Sequence, residues 1–525
     1  MLKSIHLKSL FALALLTLFY SCSSDDDSGT LPGPGGADPS AVLTQEVVTN
    51  QALRLNPEGV SPLTALLEFS TSEPVTAHLK VEGRNGVASD VEKTFNEAAT
   101  THALPILGLY ADFENTVAVT LFDGANNSLG TATFTIQTAP LPSDLPLIVI
   151  NESTGQKDPG MNLVSYFGHN SSITPQRPFI FDEFGDIRWF LNLGSNPILS
   201  NLFYDNGMER LRNGNLYFGD GSGSAIYEID MFGGIVNTWN MPGFSFHHEV
   251  HEKPNGNFLV CVNNDNLATI EDHIIEIDRS SGAIIRTWDL RQSLQESRMT
   301  LTNDPTDWIH VNAVTYDEND DTIIISGRTQ GMIKLTNNNE VVWIVSPHLG
   351  WGQSGDGTDL TNRLLQPLDA GGQVISSTAV LQGDANHSDF EWSWYQHAPQ
   401  VMPNGNVMLF DNGDNRNYTG EGPYSRAVEY DINVQNMTIQ QVWQYGKERG
   451  AETYSRIVSD IDYNPATNHA YFLPGAVLAG NINYGKVIEL DYTTQQVVFE
   501  ATIQPPTAPF NITFHRVERL PLYPD

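Results

Sequence analysis

The stretch YEIDMFGGIVNTW, Tyr227 to Trp239, is an apolar segment ending at Asp230, a glycine turn, and a second apolar segment ending at Trp239. An apolar run, an Asp-led turn and an apolar return describe one β-hairpin. The same unit recurs as FIFDEFGDIRWFL, IEIDRSSGAIIRTW, IKLTNNNEVVW, VEYDINVQNMTIQQVW and IELDYTTQQVVFE. The hinges are Asp182, Asp230, Asp278, Thr336, Asp431 and Asp491, at intervals of 48, 48, 58, 95 and 60 residues. Those intervals approach the length of a four-stranded blade, with insertions in the later copies. Six copies predict an all-β fold built as a six-bladed β-propeller.

A second repeat runs in step with the first. RNGNLYFGD, PNGNFLVCV, ENDDTIIIS, PNGNVMLFD and PATNHAYFL each set a turn and a strand ahead of one hairpin. Two interleaved repeats in one order argue for blades rather than independent hairpins. Closure of the ring requires the two ends of the propeller to share a blade, and PLIVINE and NITFHRVERL are the expected partner strands. The long insertion over residues 346–389, which contains GWGQSGDGTDLTNRLLQP, is expected to be a rim loop with one short helix.

Upstream, residues 41–139 hold the alternating runs LTALLEFST, TAHLKVEG, NTVAVTLF and ATFTIQT, separated by turn residues. That pattern predicts a small antiparallel β-sandwich of the immunoglobulin or fibronectin type. APLPSDLP, Ala139 to Pro146, carries three prolines that resist helix and ladder alike and marks the boundary, so the propeller domain spans 146–525.

At the start of the chain Lys3 and Lys8 precede an apolar run from Leu10 to Phe19. The run falls short of the roughly twenty residues of a membrane span, so residues 1–21 read as a signal peptide. Cys22 follows Ser21, with Leu18 four positions before it, and resembles a bacterial lipobox in which the Cys carries lipid. Residues 22–40, SSDDDS and GTLPGPGGADPS among them, form a polar tether that cannot pack. The chain is thus expected outside the cytoplasm, held to the outer membrane through a lipid on Cys22. The acidic cluster after Cys22 resembles surface-export signals of some Gram-negative lipoproteins.

Twenty-seven Lys+Arg against 62 Asp+Glu leave a formal charge of −35, which makes nucleic acid an unsuitable partner. The 43 Gly and 29 Pro, with few apolar runs at helical spacing, exclude an all-helical fold. Cys22 and Cys261 are the two cysteines, so neither a disulfide scaffold nor a Cys-based zinc site is available. Cys261 lies in the apolar run NFLVCV and reads as a buried, inert thiol.

The candidate chemistry rests on histidines. His248 and His397 each stand six residues before a Pro-Asn-Gly-Asn turn, and His310 stands at the analogous place with one extra residue in its turn. Equivalent positions on three blades of a closed propeller face one axis. Arg328, eighteen residues after His310, returns at the end of the next strand. Each residue has a bland alternative in packing or backbone hydrogen bonding. Three histidines can also hold zinc, but blades spread the ligands, no acidic fourth ligand stands out and Arg328 would repel a cation, so no metal is expected. His247 and His251 flank His248 and read as packing or rim residues.

The segments FHHEVHEKPNGN, DWIHVNAVTYDENDDTIIISGR, SPHLGW with LLQPLDAGG, and FEWSWYQHAPQVMPNGNVMLFDNGDNR resemble the bacterial arylsulfate sulfotransferases. That family consists of six-bladed propellers preceded by a small β-sandwich, and the resemblance runs from about Ala41 onward. It implies that an aryl sulfate passes its sulfuryl group to a histidine and then to a phenol, with no nucleotide cofactor. By motif, His397 would be the nucleophile, with His248, His310 and Arg328 binding sulfuryl oxygens or handling protons. Asn312 and Asn412 would orient these groups in a substrate-binding role, with strand-end capping as the alternative. Trp351, Trp392 and Tyr395 lie near the motifs and could stack on an aryl ring. DNGDNR reads either as a cation-binding loop or as an Asx-rich turn. The resemblance leaves a homodimer open. Periplasmic members carry a disulfide close to the active site that this chain cannot form, so their dependence on thiol oxidation is not expected here. A non-catalytic cell-surface propeller that binds a sulfated or aromatic ligand through the same histidines is the alternative reading.

Overall fold

The computed structural model describes residues 48–524 apart from 170–176, 194–195, 197, 200–206, 221–223, 421 and 507–510. The signal peptide, Cys22 and the tether lie outside the described residues. The protein is all-β, and no helix among the described residues is long and apolar enough to cross a membrane.

The N-terminal strands Val48–Leu55, Ala65–Val81, Val91–Ile106, Glu114–Phe122 and Ser128–Gln137 form one antiparallel sheet. Ala65–Val81 is its spine. It pairs along one edge with Val91–Ile106, and along the other with Val48–Leu55 through its first half and Glu114–Phe122 through its second. The register breaks between Ser70 and Val75, where the spine passes from one partner to the next. Its apolar side chains Leu67, Phe69, Val75, Leu79 and Val81 are buried, as a period of two requires of a strand with one covered face.

Six further sheets follow, and all six hairpins expected from the repeat pair antiparallel. The hinge chemistry is local. Asp230 Oδ1 accepts from the backbone N–H groups of Phe232 and Gly234 at 2.9 Å each, and Asp182 does the same for Phe184 and Asp186 at 3.0 Å. Thr336 takes this role with its hydroxyl, accepting from Asn338 and Glu340 at 3.2 Å. Asp431 is different: its strand runs on to Asn433, whose side chain accepts from Asn436 N–H at 2.9 Å and makes the turn instead.

The tryptophan that ends a hairpin has a partner in the next sheet. The indole N–H groups of Trp189, Trp239, Trp288 and Trp443 donate to the carbonyls of Met231, Arg279, Thr336 and Tyr492 at 2.7–2.9 Å. Each of those carbonyls lies at the following hinge or one residue beyond it. Repeat is therefore latched to repeat by a buried hydrogen bond as well as by apolar packing.

The first long strands pack one on another in chain order: Leu216–Asp220, Phe244–Glu252, Val311–Asp317, His397–Val401, Asp460–Asn464 and Asn511–Leu520. Arg516 returns to the sheet of Leu216–Asp220, 3.5 Å from Glu209, and completes the circuit. The closure departs from the expected pairing of PLIVINE with NITFHRVERL. Leu147–Ser153 instead pairs with Val497–Gln504, and Asn511–Leu520 pairs with Met161–His169. The two ends of the chain cross, so two sheets each contain strands from both ends. In the long insertion, the five-residue helix Thr378–Gln382 and the strand Gln366–Leu368 pack against the sheet of Thr438–Tyr445.

Trp288 is fully buried, whereas Val236 on the equivalent strand of the preceding sheet is 48% exposed. Replacing Trp288 by Phe removes the indole donor and leaves the Thr336 carbonyl with the Asn339 N–H alone, a loss of about 0.5–1.5 kcal/mol, while Val236→Ala should stay within about 0.5 kcal/mol. Denaturant unfolding of the two variants distinguishes the latch from generic packing.

Candidate active site

The site is assembled where the inner strands are irregular. In Phe244–Glu252, residues 247–249 stand opposite Cys261 alone, because Phe246 pairs with Val262 and Val250 with Val260. In Val311–Asp317, Asn312 is the extra residue between Val311 and Ala313. In His397–Val401 the register slips between His397 and Gln400. In Asn511–Leu520, His515 and Arg516 stand opposite Ser165. A bulge re-aims a side chain out of the pleat, and here each one occurs beside a polar residue turned into the site. His248, His310, Glu271, Tyr395 and Ala398 have φ between 50° and 59°, left-handed backbone that is costly for residues with a Cβ.

His248 and His310 meet directly, Nε2 to Nε2 at 3.0 Å, so one proton is shared between them. Nδ1 of His310 is held by Asp307 Oδ2 at 2.8 Å and by Glu271. Burial works to lower the His310 pKa, but the two carboxylates outweigh it and the net shift is upward. Glu271 also reaches Nε2 of His247 at 2.5 Å. Burial works to raise the Glu271 pKa, yet the two imidazoles hold it well below the usual carboxylate range.

His397 is buried and held differently. Its Nδ1 lies 2.7 Å from Asn412 Oδ1 and 3.1 Å from the Tyr395 carbonyl. The orientation of Asn412 follows from its other contacts, since Nδ2 donates to the carbonyls of Ser455 and Val458 at 2.8 and 2.9 Å. Two acceptors converge on Nδ1, which therefore carries the hydrogen and leaves the lone pair on Nε2. Burial, and next the neighbouring His515, push the His397 pKa well below the ordinary imidazole value. At neutral pH His397 is an uncharged imidazole with its lone pair in a defined place.

Arg328 stacks over Tyr395, 5.5 Å from the ring centroid, and its backbone N–H donates to the His310 carbonyl at 3.0 Å. Its ion pair with Asp307 is loose, at 3.7 Å, and its buried Nε has no hydrogen-bond partner among the described residues. Asn312 donates to the Gln396 carbonyl at 3.0 Å, while its buried Oδ1 has no partner among the described residues. Of the aromatic residues singled out, Tyr395 adjoins the site. Trp392 donates to the Val380 carbonyl at 2.8 Å, and Trp351 lies beneath Arg298 at 4.5 Å. The carboxylates of DNGDNR are engaged by arginines: Asp411 by Arg416 and Arg426 at 2.9 and 2.8 Å, Asp414 by Arg456 at 3.2 Å. Burial raises the Cys261 thiol pKa well above its usual value and keeps it inert.

The structure thus joins His248 to His310 directly, and joins His397 to that pair through His515. The His515 ring lies 5.1 Å from His248 and 6.3 Å from His397, centroid to centroid. His515, Glu271 and Asp307 were not singled out from sequence, and His247 was set aside as packing. For His515 a signal existed, since NITFHRVERL had been read as a closing strand and so as a candidate inner one. Ligand atoms suited to a metal cluster at His247, His248 and Glu271, at Glu271, Asp307 and His310, and at Asp158, His469 and Glu489. In the first two clusters the carboxylates lie at hydrogen-bond distance from the imidazole nitrogens, an arrangement that suits a shared proton.

Residues 147–511 match the family described as Arylsulfotransferase (ASST), and residues 52–139 match the Arylsulfotransferase Ig-like domain. The chain belongs to the arylsulfotransferase family. It is 30% identical to Arylsulfate sulfotransferase AssT of Escherichia coli O6:H1, an alignment that covers 93% of this chain and 94% of that protein. It is also 30% identical to Arylsulfate sulfotransferase AssT of Lelliottia amnigena, over 86% of this chain and 90% of the relative. The protein is an aryl sulfotransferase.

The tautomer of His397 in this arylsulfotransferase is directly measurable. Nitrogen-15 spectra of the histidine side chains should show His397 neutral with the hydrogen on Nδ1 throughout pH 6 to 8, since its pKa is lowered. A resonance that titrates to imidazolium within that window would refute the assignment.

Proposed function

We propose that this arylsulfotransferase works in two half-reactions through a covalent sulfo-His397 intermediate. The observation that carries the reading is the pair of acceptors on His397 Nδ1, which leaves Nε2 as a neutral nucleophile. In the first half-reaction Nε2 attacks the sulfur of the aryl sulfate, the N–S bond forms, and the S–O bond to the aryl oxygen breaks. The departing phenolate takes the proton shared by His248 and His310. In the second half-reaction an acceptor phenol returns a proton to that pair, its oxygen attacks sulfur, and the N–S bond breaks. Protons balance over the cycle, and no nucleotide or metal enters it.

His310 is the member of the pair suited to hold the charge, because Asp307 and Glu271 both face its Nδ1. The transition state of such a transfer is loose and in line, with charge spread over the equatorial oxygens, by analogy with phosphoryl transfer. Arg328 supplies a planar fork for those oxygens, and its unpartnered Nε supports that role. Asn412 positions His397, and Asn312 borders the path of the sulfuryl group.

Brief incubation with 4-nitrophenyl sulfate followed by mass spectrometry at neutral pH should add one sulfuryl group to the peptide containing His397. Replacing His397 by Asn should abolish both adduct and turnover. Arg328→Lys should keep the melting temperature and lose activity by about 10²- to 10³-fold. Turnover by the wild-type protein without an adduct would refute the covalent route. A destabilised but fully active Arg328→Lys protein would remove that residue from the site.

The circuit of six sheets supports a six-bladed propeller over 146–525, with the bent N-terminal sheet as an immunoglobulin-like domain over 41–139. We further propose that Cys22 is lipidated after removal of residues 1–21 and holds the enzyme to the outer membrane on its extracytoplasmic side. The apolar run, the small residue before Cys22 and the unpackable tether support this reading. Labelling of the protein with radioactive palmitate should be lost in Cys22→Ser, and retention of label in that variant would refute the anchor.

A further inference from the structure

We infer that His515 is a fourth imidazole of the sulfuryl site, a hydrogen-bond donor to the group in transit between the aryl oxygen and His397. The inference rests on the reading of His397 as the sulfuryl acceptor. Its starting point is the construction of the site. The bulges in the inner strands coincide with His248, Asn312 and His397, and the one in Asn511–Leu520 falls on His515 and Arg516. A regular strand would have done for closure of the ring. The extra residue interrupts the ladder between Phe514, paired with Tyr166, and Val517, paired with Val164.

The position of the ring agrees with this construction. His515 is buried, and its ring lies 5.1 Å from that of His248 and 6.3 Å from that of His397, centroid to centroid. Both rings are inclined to it, by 50° and 54°, so neither is stacked on it. Arg516, the neighbouring residue in the bulge, is turned to the other side, where Glu249 pairs with it and Asp460 lies 3.5 Å away. The positive charge of the closing strand is thereby absorbed by carboxylates, and the imidazole is the group of that strand left beside His397.

A sulfuryl group in flight has three equatorial oxygens that need donors. Arg328 approaches from the strand after His310, and the His248–His310 pair carries the shared proton. His515 comes from the opposite end of the chain, its ring 6.3 Å from that of His397, and supplies the third donor. The same group would hold the sulfuryl oxygens during the return transfer to the phenol, so its contribution appears in both half-reactions.

The test uses the full-length protein and two variants, His515→Gln, which keeps an N–H donor, and His515→Phe, which keeps a ring without one. With 4-nitrophenyl sulfate, His515→Phe should slow sulfation of His397 by about 10²-fold, and His515→Gln should recover part of that loss, with the melting temperature of both close to wild type. Equal sulfation rates in His515→Phe and wild type would overturn the inference. So would equal losses in both variants accompanied by equal falls in melting temperature, which mark a ring that only packs. A second measurement separates this inference from the reading beneath it. In the His397→Asn background, with no phenol acceptor added, calorimetric titration with 4-nitrophenyl sulfate reads contact with the anion alone. Adding His515→Phe should weaken that binding even if sulfo-His397 proves not to exist, whereas unchanged binding would count against His515 whatever the route.

Discussion

The antiparallel pairing of Asn511–Leu520 with Met161–His169 joins strands about as far apart in sequence as this part of the chain allows. Such a contact carries a large loop-closure cost and rewards the chain only once the intervening sheets are stacked. It is reinforced by the second crossing, in which Leu147–Ser153 adds to the sheet of Val497–Gln504. Together they hold the early strands Leu147–Ser153 and Met161–His169 in sheets with the last strands of the chain. The position of His515 relative to His248 and His397 is a direct consequence, because it comes from the closing strand while they come from inner strands of other sheets.

The latches between sheets and the irregularities within them do opposite work. Asp- and Thr-led hinges and, at four of the hairpins, tryptophan donors bind sheet to sheet at the outer strands, where each hairpin also carries one register shift beside its turn. At the inner strands the register shifts fall beside the site residues instead. Bulges and left-handed residues cost conformational energy, and they gather where His248, His310, Glu271 and Tyr395 lie. A rigid outer scaffold that over-determines the backbone is what allows such strain to persist at the centre.

Electrostatics in the site run against the protein as a whole. The chain has a formal charge of −35, and the aryl sulfate proposed as its donor is itself an anion. Local pairing resolves the conflict: Glu271 and Asp307 are tied to imidazoles and sustain charge on His310, while Glu249 and Asp460 engage Arg516. Burial then sets His397 apart, since an imidazole kept neutral by desolvation and by its neighbour can attack sulfur while His310 remains the proton holder.

Much of this organisation was legible in the sequence because it depends on near neighbours. A polar residue that caps its own turn, as Asp182 and Asp230 do two and four residues ahead and Asp278 and Asp491 do three ahead, leaves a recurring local signature, and the common distance from His248 and His397 to their Pro-Asn-Gly-Asn turns marks equivalent places in two repeats. Glu271, Asp307 and His515 could not be read that way. Their meeting depends on bulges, which shift a strand's facing by one residue and leave no periodic trace, and on contacts between separate sheets. The closing strands were named correctly but paired wrongly, since apolar alternation specifies which face of a strand is buried and not which edge it joins. Only the assembled ring, in which both chain ends must fit at once, decides that.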